Sequence, residues 1–281
     1  MKNKYAVIGF PIHHSLSPLM HEAGFKFLGL EGEYHRIPVT IDKLEESLDY
    51  LKSNHYAGWN VTFPLKEKIM PLLDYITPEA LACGAVNTVK VVQGNLYGYN
   101  TDGEGFVQFL QEKGFDFSKK QVVILGAGGS AKAIAVALAK TKVKTLILNR
   151  TEEKAEKLAR QIRNLGAEAS WGSFKRGEWL YHVDLLIQTT SLGMSGEQYP
   201  LDLQGLNSRA WVVDLIYKPM VTPFLNQAAA YGCQTFNGLG MLLHQGALAW
   251  KIWLGIEAPL SAMREALLRG LREGKKNGDN C

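Results

Sequence analysis

The segment Asn60-Val61-Thr62-Phe63-Pro64-Leu65-Lys66 closes a strand-like run and opens a helical one. Side chains two apart on a strand share a face, so Asn60 and Thr62 point the same way. Lys66 falls in the expected first helical turn, where a cation opposes the helix dipole. A bound anion or a catalytic role would account for it. The ordinary alternative is a surface lysine whose stem lies on apolar residues. Other polar clusters surround this one in the sequence. Ser15-Leu16-Ser17-Pro18 carries two hydroxyls able to grip a carboxylate, although N-capping by Ser17 would explain one of them. Asn87-Thr88 and Asn100-Thr101-Asp102-Gly103 bracket a hairpin, and each is also ordinary turn chemistry. Gln245 sits inside the apolar run Met241–Leu254, and a buried glutamine needs partners, from the protein or from a ligand.

A second kind of chemistry is written in the middle of the chain. Gly126-Ala127-Gly128-Gly129-Ser130-Ala131 follows the buried strand Val122–Leu125 and precedes a small-residue helix, satisfying G-x-G-x-x-A. Such glycines permit a tight turn and a close approach to a pyrophosphate, which then meets the free N–H groups of a helix N-terminus. The bland alternative is a strand–helix turn with no ligand. In an NAD enzyme an acid ends the next strand, about 20 residues on, and holds the ribose hydroxyls. Here that strand ends Leu148-Asn149-Arg150-Thr151, with Lys154 one turn into the following helix. Arg150 suits a ribose 2′-phosphate, stacking on adenine and binding phosphate at once. Thr151 is expected to cap the next helix and to donate to the phosphate. Glu152 and Glu153 fit the first turn of a helix for dipole reasons alone.

Alternating strands and helices must position these groups. The pattern predicts strands at Tyr5–Gly9, Glu33–Val39 and Gly58–Thr62, and helices from Ser17-Pro18 to about Leu28, over Asp42–Leu51 and from Pro64 onward. A hairpin spans Thr88–Tyr99 with Gly94-Asn95 at its turn. After a polar break at Glu112–Gln121, the runs Val122–Leu125, Thr145–Leu148, Asp184–Ile187 and Trp211–Leu215 read as strands of a parallel sheet covered on both faces. Ala131–Ala139 and Glu152–Leu165 are helices between them. Met241–Leu254 and Pro259–Leu271 are the last helices, and the polar tail after Arg272 is expected to fray. The expected fold is α/β. An N-terminal α/β substrate domain (1–102 and 239–281) is joined to a Rossmann-like doubly wound dinucleotide domain (103–238), with the C-terminal helices returning to the first domain. Glycines near Asp102–Gly103 and Asn237–Gly240 are candidate hinges.

Composition agrees with a folded enzyme of small anions. The 281 residues are 46% hydrophobic and 21% charged, ordinary for globular chains. Net charge is +4, too mild for nucleic acid. Cys83, Cys233 and Cys281 are odd in number and lack metal-ligand spacing, so a reducing, cytoplasmic compartment and no metal are expected. No run is long enough for a membrane span, and no signal-peptide pattern precedes Tyr5.

The order of the clusters is more telling than any one of them. Ser15/Ser17, Asn60-Val61-Thr62-x-Pro64-x-Lys66, Asn87, Asn100-Thr101-Asp102, the glycine loop, Asn149-Arg150-Thr151 and Gln245 together resemble the shikimate dehydrogenase family. So do Thr189-Thr190-Ser191-Leu192-Gly193-Met194 and Asp214-Leu215-Ile216-Tyr217-x-Pro219, and the likeness covers roughly residues 5–272. Lys154 stands where arginine is usual, and Gln188 where asparagine commonly precedes the Thr-Thr-Ser; neither touches catalysis. The resemblance implies reduction of 3-dehydroshikimate to shikimate with NADPH, in aromatic amino-acid biosynthesis toward chorismate. It implies Lys66 and Asp102 as the catalytic pair. Ser15, Ser17, Asn60, Thr62, Lys66, Asn87, Asp102 and Gln245 would hold substrate, with Tyr217 close to it. NADP would lie on Gly126, Ala127, Gly128, Gly129, Ser130, Ala131, Asn149, Arg150, Thr151, Lys154, Thr189, Thr190, Ser191, Leu215, Gly238 and Met241. A monomer or homodimer, with no nucleic-acid or membrane partner, completes the expectation. The rivals are a quinate/shikimate dehydrogenase with relaxed cofactor use, a ligand-binding paralogue without catalysis, and an unrelated two-domain dehydrogenase. Ser15/Ser17 with Arg150 speak against the first, the retained Lys66 and Asp102 against the second, and the Ser-x-Ser and Asn-Thr-Asp clusters against the third.

Overall fold

A computed structural model describes residues 3–278 of the chain. Two compact units emerge: one runs to Gly105 and resumes at Leu242, and the other is Phe106–Met241. Cys281 lies outside the described residues.

The first unit is built on β1 (Asn3–Gly9), α1 (Ser17–Phe27), β2 (Gly32–Pro38), α2 (Leu44–Ser53), β3 (Tyr56–Val61), β4 (Tyr75–Ile76), α3 (Pro78–Cys83), β5 (Thr88–Val92) and β6 (Asn95–Tyr99). Its sheet runs in the order β2-β1-β3-β5-β6-β4. Strand β1 is parallel to β2 and β3, while β5 is antiparallel to both β3 and β6. These directions bring the C-terminal ends of β1, β3 and β6 and the N-terminal end of β5 to one edge of the sheet. The segments at that edge carry Ser15 and Ser17, Asn60 to Lys66, Asn87-Thr88, and Asn100 to Asp102. Beneath them lies a core that includes Ala6, Ile8, Trp59, Val61, Leu65, Ile69, Val86 and Val89.

The chain leaves this unit inside α4 (Asp102–Glu112) and returns inside α9 (Leu239–Leu254), after which α10 (Leu260–Gly278) closes the fold. The intervening unit has β7 (Gln121–Leu125), α5 (Gly129–Ala139), β8 (Lys144–Leu148), α6 (Glu152–Asn164), β9 (Ala169–Gly172), α7 (Trp179–His182), β10 (Leu185–Gln188), β11 (Trp211–Asp214), α8 (Pro223–Ala230) and β12 (Gln234–Asn237). Its sheet runs β12-β11-β10-β7-β8-β9, all parallel. The direction of winding reverses between β7 and β10, the switch point at which doubly wound sheets bind ligands. Val122–Leu125 and Leu185–Gln188 are buried throughout, as strands covered on both faces require.

Several expectations change. No α-helix starts at Pro64: the segment is a set of tight turns ending in a short 3₁₀ turn at Met70–Leu72. The Lys66 carbonyl accepts the Val86 N–H at 2.8 Å, so it is lost to a helical ladder, and Pro71 supplies no N–H. Leu65 and Ile69 are nonetheless both fully buried, so their spacing reported packing and not helix. The hairpin turn is Gln93-Gly94, one residue earlier than expected, with φ of 52° and 83° and Val92 paired to Asn95. Two successive positive φ values make the tight turn that matches strand twist. Of the candidate hinge glycines, Gly103 lies in α4 and Gly240 in α9, while Gly238 is in the turn just before α9. Short edge strands β4, β9 and β12 have no apolar run to announce them. The backbone of the chain after Arg272 continues as helix to Gly278.

The returning helix α9 is tied to the first sheet at its C-terminal end. Trp253 Nε1 donates to the Val89 carbonyl at 2.9 Å, and Lys90 Nζ to the Ile252 carbonyl at 2.6 Å. Trp253 can approach because residue 58 is glycine: a Cβ there would stand 2.4 Å from Trp253 Nε1 and 2.5 Å from the Val89 oxygen. Gly58→Ala is therefore expected to lower the stability of the first unit by roughly 1–3 kcal/mol, the usual cost of overpacking. Denaturant unfolding followed by tryptophan fluorescence measures it, and an unchanged midpoint would mean that the helix is not held by this contact.

Candidate active site

Asp102 opens α4 and is 5% exposed. Its Oδ2 accepts from Lys66 Nζ at 2.5 Å and its Oδ1 from Asn87 Nδ2 at 2.8 Å. Its own N–H donates to Asn100 Oδ1 at 3.0 Å, while Asn100 Nδ2 donates to the Ala85 carbonyl at 2.9 Å. The carboxylate thus sits at a helix N-terminus with two side-chain donors, both of which stabilise its charge. Lys66 retains 19% side-chain exposure, so its ammonium reaches the carboxylate from a site that is still accessible. The pair is an ammonium held beside a carboxylate at the edge of a buried polar network. Such a pair can steady negative charge on an oxygen and exchange a proton with it.

Asn87 is the hub. Its Oδ1 accepts from the Thr101 N–H at 2.8 Å and from Thr88 Oγ1 at 3.0 Å, and its Nδ2 also donates to Thr101 Oγ1 at 2.9 Å. Asn60 lies across the sheet from Thr88 in register. Its amide is heavily committed: Oδ1 accepts from Tyr34 Oη at 2.6 Å, and Nδ2 donates to the Asn87 carbonyl at 3.2 Å and to Thr88 Oγ1 at 3.0 Å. With both amide hydrogens engaged, Asn60 has only an acceptor lone pair to offer a ligand.

The serines turn out differently from the expectation. Ser17 is the first residue of α1, not its cap, and makes no side-chain cap bond. Ser15 Oγ accepts the Ser17 N–H at 3.3 Å and donates to Ser17 Oγ at 3.2 Å, while Arg36 Nε holds the Ser15 carbonyl at 2.9 Å. Capping therefore does not explain Ser17. Thr62 is half-buried just beyond β3, with its N–H on the Ile8 carbonyl. Gln245 is 8% exposed, and its Nε2 turns back to the Leu242 carbonyl at 2.8 Å. Ser15, Ser17, Asn60, Thr62, Lys66, Asn87, Asp102 and Gln245 all belong to the first unit, and Tyr217 to the second.

In the second unit the glycines divide by cause. Gly126 has φ +117°, and a Cβ there would lie 2.3 Å from Thr189 Oγ1, so its own fold demands it. Gly128 and Gly129 have no atom within 4 Å of a Cβ position and no positive φ, so the fold does not require glycine at either. Open space beside the uncapped start of α5 is what a close-approaching phosphate needs. Ala127 lies in the loop, and Ser130 and Ala131 lie in the first turn of α5, with Ala131 fully buried. Arg150 and Lys154 are both exposed at the end of β8 and the start of α6, and Asn149 Nδ2 steadies the turn between them on the Thr151 carbonyl at 2.8 Å. Thr151 occupies the N-cap position, but its hydroxyl makes no cap bond, contrary to expectation. Gly238 has a packing reason of its own, since a Cβ would lie 1.9 Å from the Leu215 carbonyl oxygen. Met241 is buried and Leu215 half-buried.

Sequence reasoning missed what supports the loop Thr189-Thr190-Ser191. Gln188 is fully buried at the end of β10, beside Asp214 at the end of β11. Its Nε2 donates to the carbonyls of Thr190 at 3.2 Å and Leu192 at 2.9 Å, and its Oε1 takes the Thr190 N–H. Asp214 accepts from Thr222 Oγ1 at 2.7 Å and from the Ile216 N–H at 3.0 Å. Thr189 Oγ1 is itself spent on the Leu125 carbonyl at 2.7 Å. The sequence signal was a polar residue ending each of two otherwise apolar strands. Among the described residues no group of three or more His, Cys, Asp or Glu could hold a metal ion, and no helix is long and apolar enough to cross a membrane.

Comparison with known proteins covers the chain almost throughout. Residues 7–89 match the model for the shikimate dehydrogenase substrate binding domain. Residues 109–192 match shikimate / quinate 5-dehydrogenase, and 238–268 the shikimate 5′-dehydrogenase C-terminal domain. The shikimate dehydrogenase (NADP(+)) of Desulfitobacterium hafniense is 50% identical over 271 residues, covering 96% of this chain and 99% of that one. The shikimate 5-dehydrogenase of Thermus thermophilus, solved with NADP(H) and shikimate, superposes with a TM-score of 0.88 at 37% identity, covering 96% and 100% of the two chains. A quinate dehydrogenase from Corynebacterium glutamicum, solved with NAD, reaches 0.87 at 32% identity over 95% and 99%. The backbone alone therefore does not separate shikimate from quinate or NADP from NAD.

Asp214 gives the second unit a pH signature. Burial pushes its carboxyl up to about 6, against smaller lowering effects of the Thr222 hydroxyl and the Ile216 N–H. The folded state then holds the proton more tightly than the unfolded chain, whose carboxyl titrates near 3.9. The resulting stability is full below about pH 4 and is lost as pH rises to about 6. Asp214→Asn does not titrate, so its stability relative to the native chain should rise by about 2–3 kcal/mol over that window. Urea unfolding of both proteins at pH 4, 5, 6 and 7 reads the difference, and a pH-independent difference would contradict the assignment.

Proposed function

Because the chain belongs to the shikimate dehydrogenase family, we propose that Lys66 and Asp102 are the catalytic pair with which it reduces 3-dehydroshikimate to shikimate, using NADPH, in reversible hydride transfer. The observation that carries this reading is the 2.5 Å contact from Lys66 Nζ to a nearly buried carboxylate that Asn87 also holds. Hydride reaching a ketone carbon leaves negative charge on its oxygen. The Lys66 ammonium steadies that charge and donates a proton to the oxygen, and Asp102 orients the ammonium. In the reverse direction Lys66 takes the hydroxyl proton.

Hydroxyls and amides around the pair suit a polyhydroxylated acid. Ser15 and Ser17 are the candidates for the carboxylate, and Thr62, Asn87, Asp102 and Gln245 for the ring hydroxyls. Asn60 contributes an acceptor, and Tyr217 belongs to the substrate set by resemblance. A site of this kind rejects analogues that leave its buried polar groups unpaired.

NADPH, when bound, supplies the hydride. The residues fit it: the open glycines Gly128 and Gly129 at the start of α5 receive the pyrophosphate, and exposed Arg150, with Lys154, receives the 2′-phosphate. Ala127, Ser130, Ala131, Asn149, Thr151, Thr189, Thr190, Ser191, Leu215, Gly238 and Met241 would complete the surface. Cys83 and Cys233 are buried thiols, which suits a reducing cytoplasm. The enzyme would act there as a monomer or homodimer.

The tests separate the two halves of the reading. Shikimate with NADP should give a rise in absorbance, and quinate or NAD much less; equal rates with all four combinations would favour the relaxed quinate/shikimate enzyme. Arg150→Ala should raise the KM for NADP at least about tenfold, a typical loss for a charge-assisted phosphate contact, and that for NAD far less. Equal effects on both cofactors would reject the 2′-phosphate role. Gly129→Ala should leave the melting temperature equal or higher, since alanine favours helix, yet weaken NADP binding. Lys66→Met keeps the stem and deletes the charge, so turnover should fall roughly 10²–10⁴-fold with substrate affinity little changed. Near-normal turnover in that variant would remove Lys66 from the chemistry.

A further inference from the structure

The polar network behind Asp102 has a direction. Tyr34 Oη donates to Asn60 Oδ1 at 2.6 Å. Asn60 Nδ2 donates to Thr88 Oγ1 at 3.0 Å. Thr88 Oγ1 donates to Asn87 Oδ1 at 3.0 Å, the shorter of the two contacts open to its proton, Thr101 Oγ1 lying 3.4 Å away. Asn87 Nδ2 then donates to Asp102 Oδ1 at 2.8 Å, and the other carboxylate oxygen takes the Lys66 ammonium. Every link points the same way, from a phenol on strand β2 to the carboxylate at the start of α4. Each donor in such a chain is itself polarised by the bond it accepts, and the effect accumulates at low dielectric.

The chain is also built to be rigid. Tyr34, Asn60, Asn87, Thr88 and Asp102 are all buried. Tyr34 packs flat on the His21 ring, with centroids 4.3 Å apart and planes within 9°. His21 is itself anchored, its Nδ1 accepting from Trp250 Nε1 at 2.7 Å. A tryptophan N–H can only donate, so the imidazole proton is on Nε2 and the ring is neutral. The phenol therefore has a fixed platform; its hydroxyl donates to Asn60 Oδ1, and its oxygen also meets the side chain of Ser17. Neither Tyr34 nor Thr88 belongs to the residues expected to meet substrate.

We propose that Tyr34 and Thr88 are positioning residues for the catalytic pair, the first and third members of a one-way hydrogen-bond relay that orients Asn87 and, through it, the Asp102 carboxylate that holds Lys66. The relay rests on the reading of Lys66 and Asp102 as the catalytic pair. It assigns a kinetic role to a tyrosine on the edge strand of the sheet. It also explains why the amide hydrogens of Asn60 are directed into the protein.

The test uses the full-length enzyme with shikimate and NADP. Tyr34→Phe keeps the ring on His21 and removes one oxygen, and should lower kcat about tenfold, the typical consequence of deleting one buried hydrogen bond. Thr88→Val keeps the shape and breaks the relay in the middle, and should lower kcat roughly 10- to 100-fold, because two buried groups lose partners. Thr88→Ser restores the hydroxyl and should recover kcat to within about threefold, whereas a merely structural role for the methyl group would not give that pattern. In all three the KM for NADP should stay within about twofold of the native value, since the relay touches only the first unit. The Tyr34→Phe/Thr88→Val double variant should be no slower than Thr88→Val alone, because a broken chain cannot be broken twice. Native kcat in Tyr34→Phe, or losses that multiply in the double variant and follow the melting temperature, would overturn the relay. Should Thr88→Val fail to fold, Tyr34→Phe and Thr88→Ser still decide, as neither removes packing volume from the core beyond one atom or one methyl. Lys66→Met run alongside separates the two claims: if it too retains turnover, the catalytic pair itself is wrong, and if it alone is slow, only the relay is.

Discussion

A carboxylate that is 5% exposed must be compensated from every side, and Asp102 organises the first unit around that requirement. An unpaired buried charge is costly, and removing one partner of a buried pair typically costs about 3–5 kcal/mol. Lys66, Asn87 and the N-terminus of α4 meet the demand together. Each of these must arrive at the same point from a different part of the chain. The mixed sheet accomplishes it: parallel β1 and β3, with an antiparallel hairpin added beside them, bring four loop segments to one edge. Asn60 and Thr88 stand opposite each other in register, so a polar seam can run across the sheet at that edge with each of its members hydrogen-bonded to the next.

The second unit answers a different demand, that of leaving space. Its all-parallel sheet reverses winding between β7 and β10, which opens a crevice at the strand ends. Gly126 is needed to turn the chain past Thr189, while Gly128 and Gly129 keep the helix start bare. Gln188 and Asp214 then hold the two neighbouring loops from below, with bonds that reach both the N–H and the carbonyl of Thr190. Polar groups at the ends of buried strands commit the loops to one shape. Exposed Arg150 and Lys154, by contrast, keep their charges available in solvent.

The two units share a logic in which glycine allows one backbone or ring to lie directly on another. Gly58 admits Trp253, Gly105 admits the backbone of Gln245, and Gly240 admits the ring of Phe109. The helices through which the chain leaves and rejoins the first unit, α4 and α9, carry the last two of these contacts. At both positions the missing Cβ is a means of close packing.

Much was legible from residue order. The glycine loop, the basic end of β8 and the polar clusters at Ser15, Asn60, Asn87 and Asp102 depend on local spacing and residue chemistry, which sequence carries directly. The long buried strands were equally plain, because a short run without a single polar side chain, such as Val122–Leu125, has to be covered on both faces. What sequence could not decide were the non-local choices. Whether Lys66 stood on a helix depended on Val86, twenty residues on, taking its carbonyl. Whether Ser17 served as a cap depended on Ser15 and on where α1 begins. Thr88 read as a turn residue until the register of β3 against β5 set it opposite Asn60, and Tyr34 met Asn60 only through the pairing of β2 and β3 with β1 between them. Sequence by itself determined which groups were present and near which turns. The tertiary structure determined which donor met which acceptor, because hydrogen-bond partners are selected by the pairing of distant strands.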